Sequence, residues 1–174
     1  FKIEGRGRSA DYVYTVVKTY KKAIELYNNK KLNNNEIKKL EQELKTVFNR
    51  GFWKGGYYLG NKLGEWAGTY GSKATKEKHF IGLVKHYYPK SKVAEIEMQK
   101  ESLKLGDEIL ITGITTGVIK TKIKTIYVKE SPVEQANKED QDITISINEK
   151  VRKGDKIYLI KDRTNFQQLN SIKL

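Results

Sequence analysis

A short pattern that occurs twice constrains the fold of this chain more than any other feature. Leu103–Ile111 and Val151–Leu159 each place a Gly-Asp pair ahead of an apolar run. Glycine accepts the positive φ that tight turns require, and an apolar run of this length is typical of a buried strand. Both copies are therefore predicted to be turns that lead into β-strands. The carboxylates of Asp107 and Asp155 are expected to stabilise those turns by accepting backbone N–H groups.

The second half of the chain, from about residue 78, has the period of two that is typical of strands. No helical pattern separates the apolar runs, and short strands at close spacing favour a closed β-barrel, which has no exposed edge. Six strands are predicted, at Phe80–Val84, Lys92–Met98, Ile109–Ile111, Lys122–Val128, Ile143–Ile147 and Ile157–Ile160.

The first part of the chain has the helical period instead. Ser9 is a suitable N-cap, and apolar residues follow it at helical spacing as far as Tyr27. A second helix is predicted to begin at Asn33, with Glu36 three residues later as in a capping box, and to end at Gly51 as its C′ residue. The two helices form a predicted αα-hairpin whose apolar faces need a partner, and self-association is one expected way to cover them.

Residues 51–76 are rich in glycine and aromatic residues. Aromatic rings beside basic residues are able to form a base-stacking platform for nucleic acid. The same rings also suit a plainer role, in which they cap the open end of the helical pair or pack on a neighbouring domain. The sequence leaves both interpretations open. The rings belong to Phe52, Trp53, Tyr57, Tyr58, Trp66 and Tyr70.

Composition limits the classes of function. The chain has 34 Lys and Arg against 21 Asp and Glu, a net charge of +13 that favours polyanions such as RNA. It has no cysteine, which excludes disulfides, thiolate catalysis and cysteine-ligated zinc or iron–sulfur centres within it. No apolar run approaches the ~20 residues of a membrane helix, so a cytoplasmic protein without membrane contact is expected. A start at Phe1 without an initiator Met predicts a piece of a longer polypeptide.

Two blocks in the N-terminal part resemble a known family. Phe1–Asn29, with Lys2-Ile3-Glu4-Gly5-Arg6 followed by Arg8 and Ser9, looks like the closing strand and helix of the catalytic domain of the collagenase-like peptidase family U32. Leu44–Gly60, with Asn49-Arg50-Gly51-Phe52, is similar to the next conserved block of that family. The resemblance implies that the helical hairpin is the end of a TIM-like barrel.

Residues 78–161 resemble the second domain of translation elongation factor Tu, a six-stranded β-barrel that many U32 proteins carry at their C-terminus. The strings that carry this likeness are His79–Val84, Leu103–Asp107, Ser131–Ala136 and Val151–Tyr158. Together the resemblances imply an α+β chain with three parts. Residues 1–76 are the end of the catalytic domain, residues 77–164 the barrel, and residues 165–174 a C-terminal tail.

The functions that the resemblance implies are divided. Members of the family are named peptidases or collagenases, while relatives take part in hydroxylating tRNA or ribosomal RNA, some with an iron–sulfur cluster. The cysteine signature of the family lies upstream of the part present here, so this chain is expected to hold no catalytic residue and no cofactor, and to be inactive alone. Its expected partners are the upstream catalytic domain and a protein or RNA substrate that the barrel helps to position. The alternative is an RNA-binding module of an RNA-modifying relative.

Candidate substrate-binding residues lie near the N-terminus. Glu4, Arg6 and Arg8 fall at the end of the implied last strand of a (β/α) barrel, where active-site groups of such barrels gather. Arg50 is a further candidate, because the guanidinium fork suits carboxylate and phosphate groups. The alternative interpretation is a salt bridge that closes the barrel.

A second candidate group consists of lysines along one predicted strand face. Contact with RNA or phosphate competes there with simple protection of a sheet edge. No metal site is expected, since His79 and His86 lie on either side of an apolar strand without a third ligand. The lysines are Lys120, Lys122, Lys124 and Lys129.

Overall fold

A computed structural model describes residues 1–52, 71–100 and 102–163 of the chain. These residues separate into two compact units. One contains residues 1–52 and 71–76 together with Arg163, and the other contains residues 77–100 and 102–162. We call them the helical unit and the β unit. The predicted tail 165–174, and all the aromatic residues of the Gly-rich segment except Phe52, lie outside the described residues.

The helical unit contains the predicted αα-hairpin. Helix α1 spans Ala10–Asn28 and helix α2 spans Asn34–Lys45, and the two pack against each other. Asn33 is the N-cap of α2, where its side chain accepts the backbone N–H groups of Asn35 and Glu36, each at 3.0 Å. Ser9 occupies the N-cap position of α1 but makes no side-chain cap hydrogen bond.

Helix α2 ends earlier than its apolar pattern predicts. The hydroxyl of Thr46 donates to the carbonyl oxygen of Glu43 at 2.7 Å, and the backbone N–H of Thr46 donates to the same oxygen at 3.1 Å. This local closure of the last turn competes with continuation of the helix. Val47 and Phe48 therefore lie beyond the helix. Gly51 has a φ of 97° but stands several residues past the helix end, so its assignment as the C′ residue is wrong.

The described residues of the β unit form a mostly antiparallel sheet and a separate pair of short strands. Eight strands are hydrogen-bonded in the order β5-β4-β10-β1-β2-β9-β6-β7, and β3 pairs with β8. The strands are β1 (Lys76–Tyr88), β2 (Val93–Met98), β3 (Ser102–Lys104), β4 (Glu108–Gly113), β5 (Gly117–Lys122), β6 (Ile126–Val128), β7 (Ser131–Val133), β8 (Gln135–Asn137), β9 (Ile143–Ser146) and β10 (Lys156–Asp162).

These pairings do not confirm a closed six-stranded barrel. Strands β5 and β7 stand at the two ends of the large sheet, and no pairing joins them among the described residues. The predicted strand Lys122–Val128 is divided, because β5 ends at Lys122 and β6 begins at Ile126. Between them, the N–H of Ile123 donates to the carbonyl oxygen of Asp107 at 2.9 Å. The backbone there bonds to a Gly-Asp turn instead of continuing in the sheet.

One apolar core holds the β unit together. Residues from strands far apart in the sheet order, such as Ile119 in β5 and Ile126 in β6, belong to this one cluster. Burial of such side chains removes apolar surface from water and is the main stabilising contribution. The members with no exposed surface are Ile81, Ala94, Leu103, Ile109, Ile111, Ala136 and Ile157.

The repeated Gly-Asp motif forms two equivalent turns, as predicted. Gly106 and Gly154 have φ values of 86° and 87°. The carboxylates of Asp107 and Asp155 each accept the backbone N–H of the residue three positions earlier, at 2.8 Å in both turns. The strands that follow the turns, β4 and β10, pair with each other in antiparallel register. The two copies of the sequence pattern thus lie side by side in the sheet.

Candidate functional site

An open cavity in the helical unit brings together all four residues of the N-terminal candidate group. Glu4, Arg6, Arg8 and Arg50 line it, together with side chains from α1 and from the segment after α2. Its volume is about 450 Å³, which lies in the range of small-molecule binding sites. We call it the arginine cavity. The remaining lining residues are Tyr12, Val16, Tyr20, Leu44, Phe48, Asn49, Gly51 and Phe52.

A tight turn presents the first two arginines to the cavity. The N–H of Arg8 donates to the carbonyl oxygen of Gly5 at 2.9 Å, and the carboxylate of Glu4 accepts the N–H of Arg6 at 3.0 Å. The turn lies against α1 only because residue 5 has no side chain, since a Cβ there would stand 2.8 Å from Cγ2 of Val13. The turn and the helix together therefore determine where the guanidinium groups project.

The opposite wall comes from the segment after α2. The guanidinium of Arg8 lies over the Phe48 ring, with its carbon 3.7 Å from the ring centroid, which is a cation–π contact. The side chain of Asn49 bonds to the backbone on both sides, donating to Val47 and accepting from Gly51. The early end of α2 thus contributes to the site. The helical pattern places Phe48 in a helix face and gives no sign of this contact.

The structure brings Glu4 close to the arginines without an ion pair among them. In the part of the chain that the structure describes, no salt bridge links Glu4, Arg6, Arg8 or Arg50 to an oppositely charged side chain. The barrel-closing salt bridge is therefore not seen in these residues. Three guanidinium groups and one carboxylate give the cavity wall an excess of positive charge, which suits an oxyanion.

The four candidate lysines do not lie along a single strand. Lys120 and Lys122 belong to the end strand β5, Lys124 follows that strand, and Lys129 lies in the turn between β6 and β7. All four are exposed. Lys120 and Lys122 lie two residues apart in β5 and so share the face opposite the buried Ile119, while Lys124 lies just beyond the strand. Lys129 is separated from them because the predicted strand is broken at Ile123.

An ion pair on the β unit shifts the pKa of both of its members. Lys85 lies at a β-bulge in β1, and its Nζ is 2.6 Å from Oε1 of Glu95 in β2. The hydrogen bond with the Glu95 carboxylate and the charge of that carboxylate raise the pKa of Lys85. The hydrogen bond from Lys85, its charge and a weaker bond from Tyr88 lower the pKa of Glu95. Both groups keep contact with water, so the pair stabilises the bulge only weakly.

Other kinds of site find no support in the described ranges. No group of three or more metal-ligating side chains occurs in residues 1–52, 71–100 and 102–163. His79 is instead 2.8 Å from the carboxylate of Glu77, and the ring of His86 lies beside that of Tyr88 with centroids 4.5 Å apart. Within the same ranges, neither helix is long and apolar enough to cross a membrane.

Family models match both parts of the chain. Residues 1–68 match the model of peptidase family U32, and residues 76–168 match the model of the peptidase family U32 C-terminal domain. The second match alone covers more than half of the chain. These matches agree with the resemblance found in the sequence.

Curated relatives match along nearly the whole chain. A collagenase of Porphyromonas gingivalis (strain ATCC BAA-308 / W83) is 49% identical over 163 residues, which cover 94% of this chain and 39% of the relative. An uncharacterized protease of Methanocaldococcus jannaschii is 38% identical over 167 residues, which cover 93% of this chain and 40% of the relative. The chain therefore spans about two-fifths of the length of these relatives.

A solved structure resembles part of the chain. It is a crystal structure of the C-terminal domain of a Geobacillus thermoleovorans protein assigned to the U32 peptidases. The TM-score is 0.43 and the sequence identity 19%, with 45% of this chain and 96% of the other chain covered.

Proposed function

The chain belongs to peptidase family U32, and we propose that it is the C-terminal, substrate-positioning region of a collagenase-like U32 peptidase and not its catalytic centre. The match of residues 76–168 to the C-terminal-domain model supports the assignment to a C-terminal region. The match of residues 1–68 to the family model and the name of the collagenase relative support the assignment to a collagenase-like U32 peptidase. We assign the hydrolytic step, and any cofactor, to the part of the longer relatives that this chain does not span. This chain alone then binds substrate without cleaving it.

The arginine cavity is the observation that carries the proposal. Glu4, Arg6 and Arg8 come from the start of the helical unit and Arg50 from the segment after α2, yet all four line one cavity. A wall that combines guanidinium groups with aromatic rings offers both polar and apolar contacts to a ligand. Such a cavity suits the holding of a peptide, while bond cleavage requires a nucleophile or activated water that we assign elsewhere.

The upstream catalytic domain is the proposed partner of the helical unit. In helix α1, Ile24 is 42% exposed and Tyr27 is 72% exposed, and Phe1 ahead of the helix is 95% exposed. Tyr20, Ile24 and Tyr27 share one face of α1 by their helical spacing, and the ring centroid of Phe1 lies 5.4 Å from that of Tyr20. An apolar surface of this kind favours a covering partner. The catalytic domain of the same polypeptide supplies that cover in the proposed arrangement, and self-association supplies it when this chain is isolated.

Binding of RNA by the β unit is the second candidate function. It is supported by Lys120, Lys122 and Lys124, which are exposed in or just after the end strand β5. The likeness of this part of the sequence to a translation-factor barrel is consistent with it. We propose a cytoplasmic location under either candidate function.

Binding and cleavage assays on the 174-residue chain test the first candidate. We expect the chain to bind gelatin without cleaving it, and the double variant Arg8→Ala/Arg50→Ala to bind it at least tenfold more weakly, since hydrogen bonds to charged groups are lost. Lys38→Ala, an exposed change in α2, is the matched control and should bind as the parent does. Robust gelatin cleavage would overturn the assignment of chemistry to another region.

A titration with tRNA over a range of salt concentrations tests the second candidate. Contact with phosphates predicts that log K falls linearly with log salt, by about 0.7 to 0.9 per phosphate neutralised. Charge reversal at Lys120, Lys122 and Lys124 should reduce that slope, while Arg8→Ala should not. A flat salt response rejects RNA binding, and salt-dependent tRNA binding without gelatin binding would replace the first candidate with the second.

A further inference from the structure

We propose that the arginine cavity binds the C-terminal carboxylate of a peptide whose last side chain is apolar or aromatic. This inference rests on the proposed function and names the part of the substrate that the cavity recognises. It assigns the three arginines to the carboxylate and the aromatic wall to the last side chain of the peptide.

The geometry of Arg8 favours a forked oxyanion as the ligand. One face of its guanidinium lies on the Phe48 ring, at 3.7 Å from the centroid. A stacked guanidinium retains its in-plane N–H donors, and these match the two oxygens of a carboxylate. Stacking also restricts the side chain before the ligand arrives, so less conformational entropy is lost on binding.

The charge of the wall favours a monoanion over the phosphates of a nucleic acid. Arg6, Arg8 and Arg50 share the cavity with Glu4, whose carboxylate is already held by the N–H of Arg6. The arginines attract one oxyanion, whereas the Glu4 carboxylate repels a second negative charge nearby. A polynucleotide brings several phosphates and needs an extended basic path, while a peptide terminus brings a single charge.

The apolar part of the lining accounts for the last side chain of the peptide. Phe48 is half-buried, and Tyr12, Tyr20 and Phe52 complete a wall of rings. Aromatic side chains bury large apolar areas and accept a ring or an aliphatic chain against their faces. A cavity of about 450 Å³ has room for a short peptide end.

Calorimetric titration of the 174-residue chain tests the inference with matched peptides. The probes are acetyl-Gly-Pro-Phe as the free acid, the same peptide as the C-terminal amide, inorganic phosphate and adenosine monophosphate. We expect the free acid to bind and the amide to bind at least tenfold more weakly, because only the acid uses charge-assisted hydrogen bonds. Equal binding of acid and amide would overturn the inference, and so would tighter binding of either phosphate compound.

Variants distinguish recognition by the forked N–H donors of an arginine from attraction by its positive charge alone. Arg8→Ala and Arg50→Ala should each weaken binding of the free acid about tenfold or more. Arg8→Lys keeps the charge but loses the fork, so it should lie close to Arg8→Ala; full binding by Arg8→Lys would contradict forked recognition. Glu4→Gln should improve phosphate binding more than carboxylate binding. All three arginines are exposed, so the circular dichroism spectrum should stay unchanged, with Lys38→Ala as the neutral control.

Failure of this inference can be told apart from failure of the proposed function. Gelatin binding that depends on Arg8 and Arg50, with no preference for the free acid over the amide, rejects carboxylate recognition and leaves substrate positioning intact. Absence of binding to both gelatin and the peptides rejects the two together.

Discussion

The helical unit and the β unit use their apolar residues in opposite ways. Among the described residues, the β unit surrounds a continuous core whose members are almost entirely buried, whereas the only buried hydrophobic residues of the helical unit are Val16 and Val47. Helix α2 has no buried residue at all. The two units therefore differ in how much apolar surface they bury. The β unit is stabilised by its own core, while the described part of the helical unit leaves apolar side chains and a charged cavity exposed to solvent.

The largest expected effect on stability comes from truncating a buried side chain of the β unit, and a similar truncation at an exposed position of the helical unit should have little effect. Ile111→Ala removes a fully buried side chain from β4 and should cost about 2–5 kcal/mol in free energy of unfolding. Ile24→Ala, at a 42% exposed position of α1, should cost no more than about 0.5 kcal/mol. Urea unfolding followed by circular dichroism measures both, with amide hydrogen exchange to assign the loss to a unit. Equal losses would contradict the contrast between the units.

A smaller effect is expected from the twin carboxylates of the repeated motif. Asp155 is only 6% exposed and also accepts the hydroxyl of Thr116 at 2.6 Å, whereas Asp107 is half-buried and accepts a backbone N–H. A Cβ on Gly113 would stand 1.8 Å from the Asp155 carboxylate, which shows how closely that turn is packed. Asp155→Ala should therefore destabilise by about 1–3 kcal/mol.

Asp107→Ala is the matched control for that change, because it removes the equivalent backbone bond without the buried partner. The same urea unfolding measurement compares the two. If Asp107→Ala lowered the free energy of unfolding as much as Asp155→Ala does, burial of the carboxylate would not account for a difference in stability between the two turns.

In the helical unit, a cap deletion should have a local effect. Asn33→Ala removes the bonds to the N–H groups of Asn35 and Glu36 and should destabilise α2 by about 1 kcal/mol. Ser9→Ala is the control, since Ser9 makes no side-chain cap hydrogen bond and its loss should be much smaller. Hydrogen exchange should speed up in α2 and stay unchanged in β4 and β10. Faster exchange throughout the β unit would show that the two units do not unfold independently.

The smallest effect concerns the ion pair at the bulge, and its sign depends on pH. The pKa of Glu95 is lowered from 4.5, so its stabilisation is present above pH 4.5 and is lost as the pH falls below that value. The pKa of Lys85 is raised from 10.5, so its stabilisation is present below pH 10.5 and is lost as the pH rises above it. Glu95→Gln should remove the pair's contribution at both ends of the pH profile of the melting temperature.

High salt should reduce the difference between the Glu95→Gln variant and its parent, because both side chains contact water. A difference that persists unchanged in high salt would indicate that the pair is shielded from water more fully than side-chain exposures of 50% for Lys85 and 19% for Glu95 imply.

Local sequence rules predicted the helices and the turns well, since each depends on a few neighbouring residues. The Asn33 cap and the Gly-Asp turns are examples, and the structure confirms both. The same rules failed at the hairpin between β6 and β7. Lys129 and Glu130 both have positive φ there, with neither the Asn nor the Gly that normally announces such a turn. The break at Ile123 was missed as well, because its backbone partner is a distant turn.

The sequence by itself determined the family, the helical hairpin, the strand-rich second half and the four charged candidates Glu4, Arg6, Arg8 and Arg50, which line the cavity. Only the tertiary structure decided that Arg50 shares a cavity with Arg6 and Arg8, that Phe48 lies under Arg8, and that no pairing joins β5 to β7 among the described residues. The physical reason is the range of the interactions involved. Caps and tight turns act within a few residues, whereas a cavity wall and a sheet order depend on segments that only folding brings together.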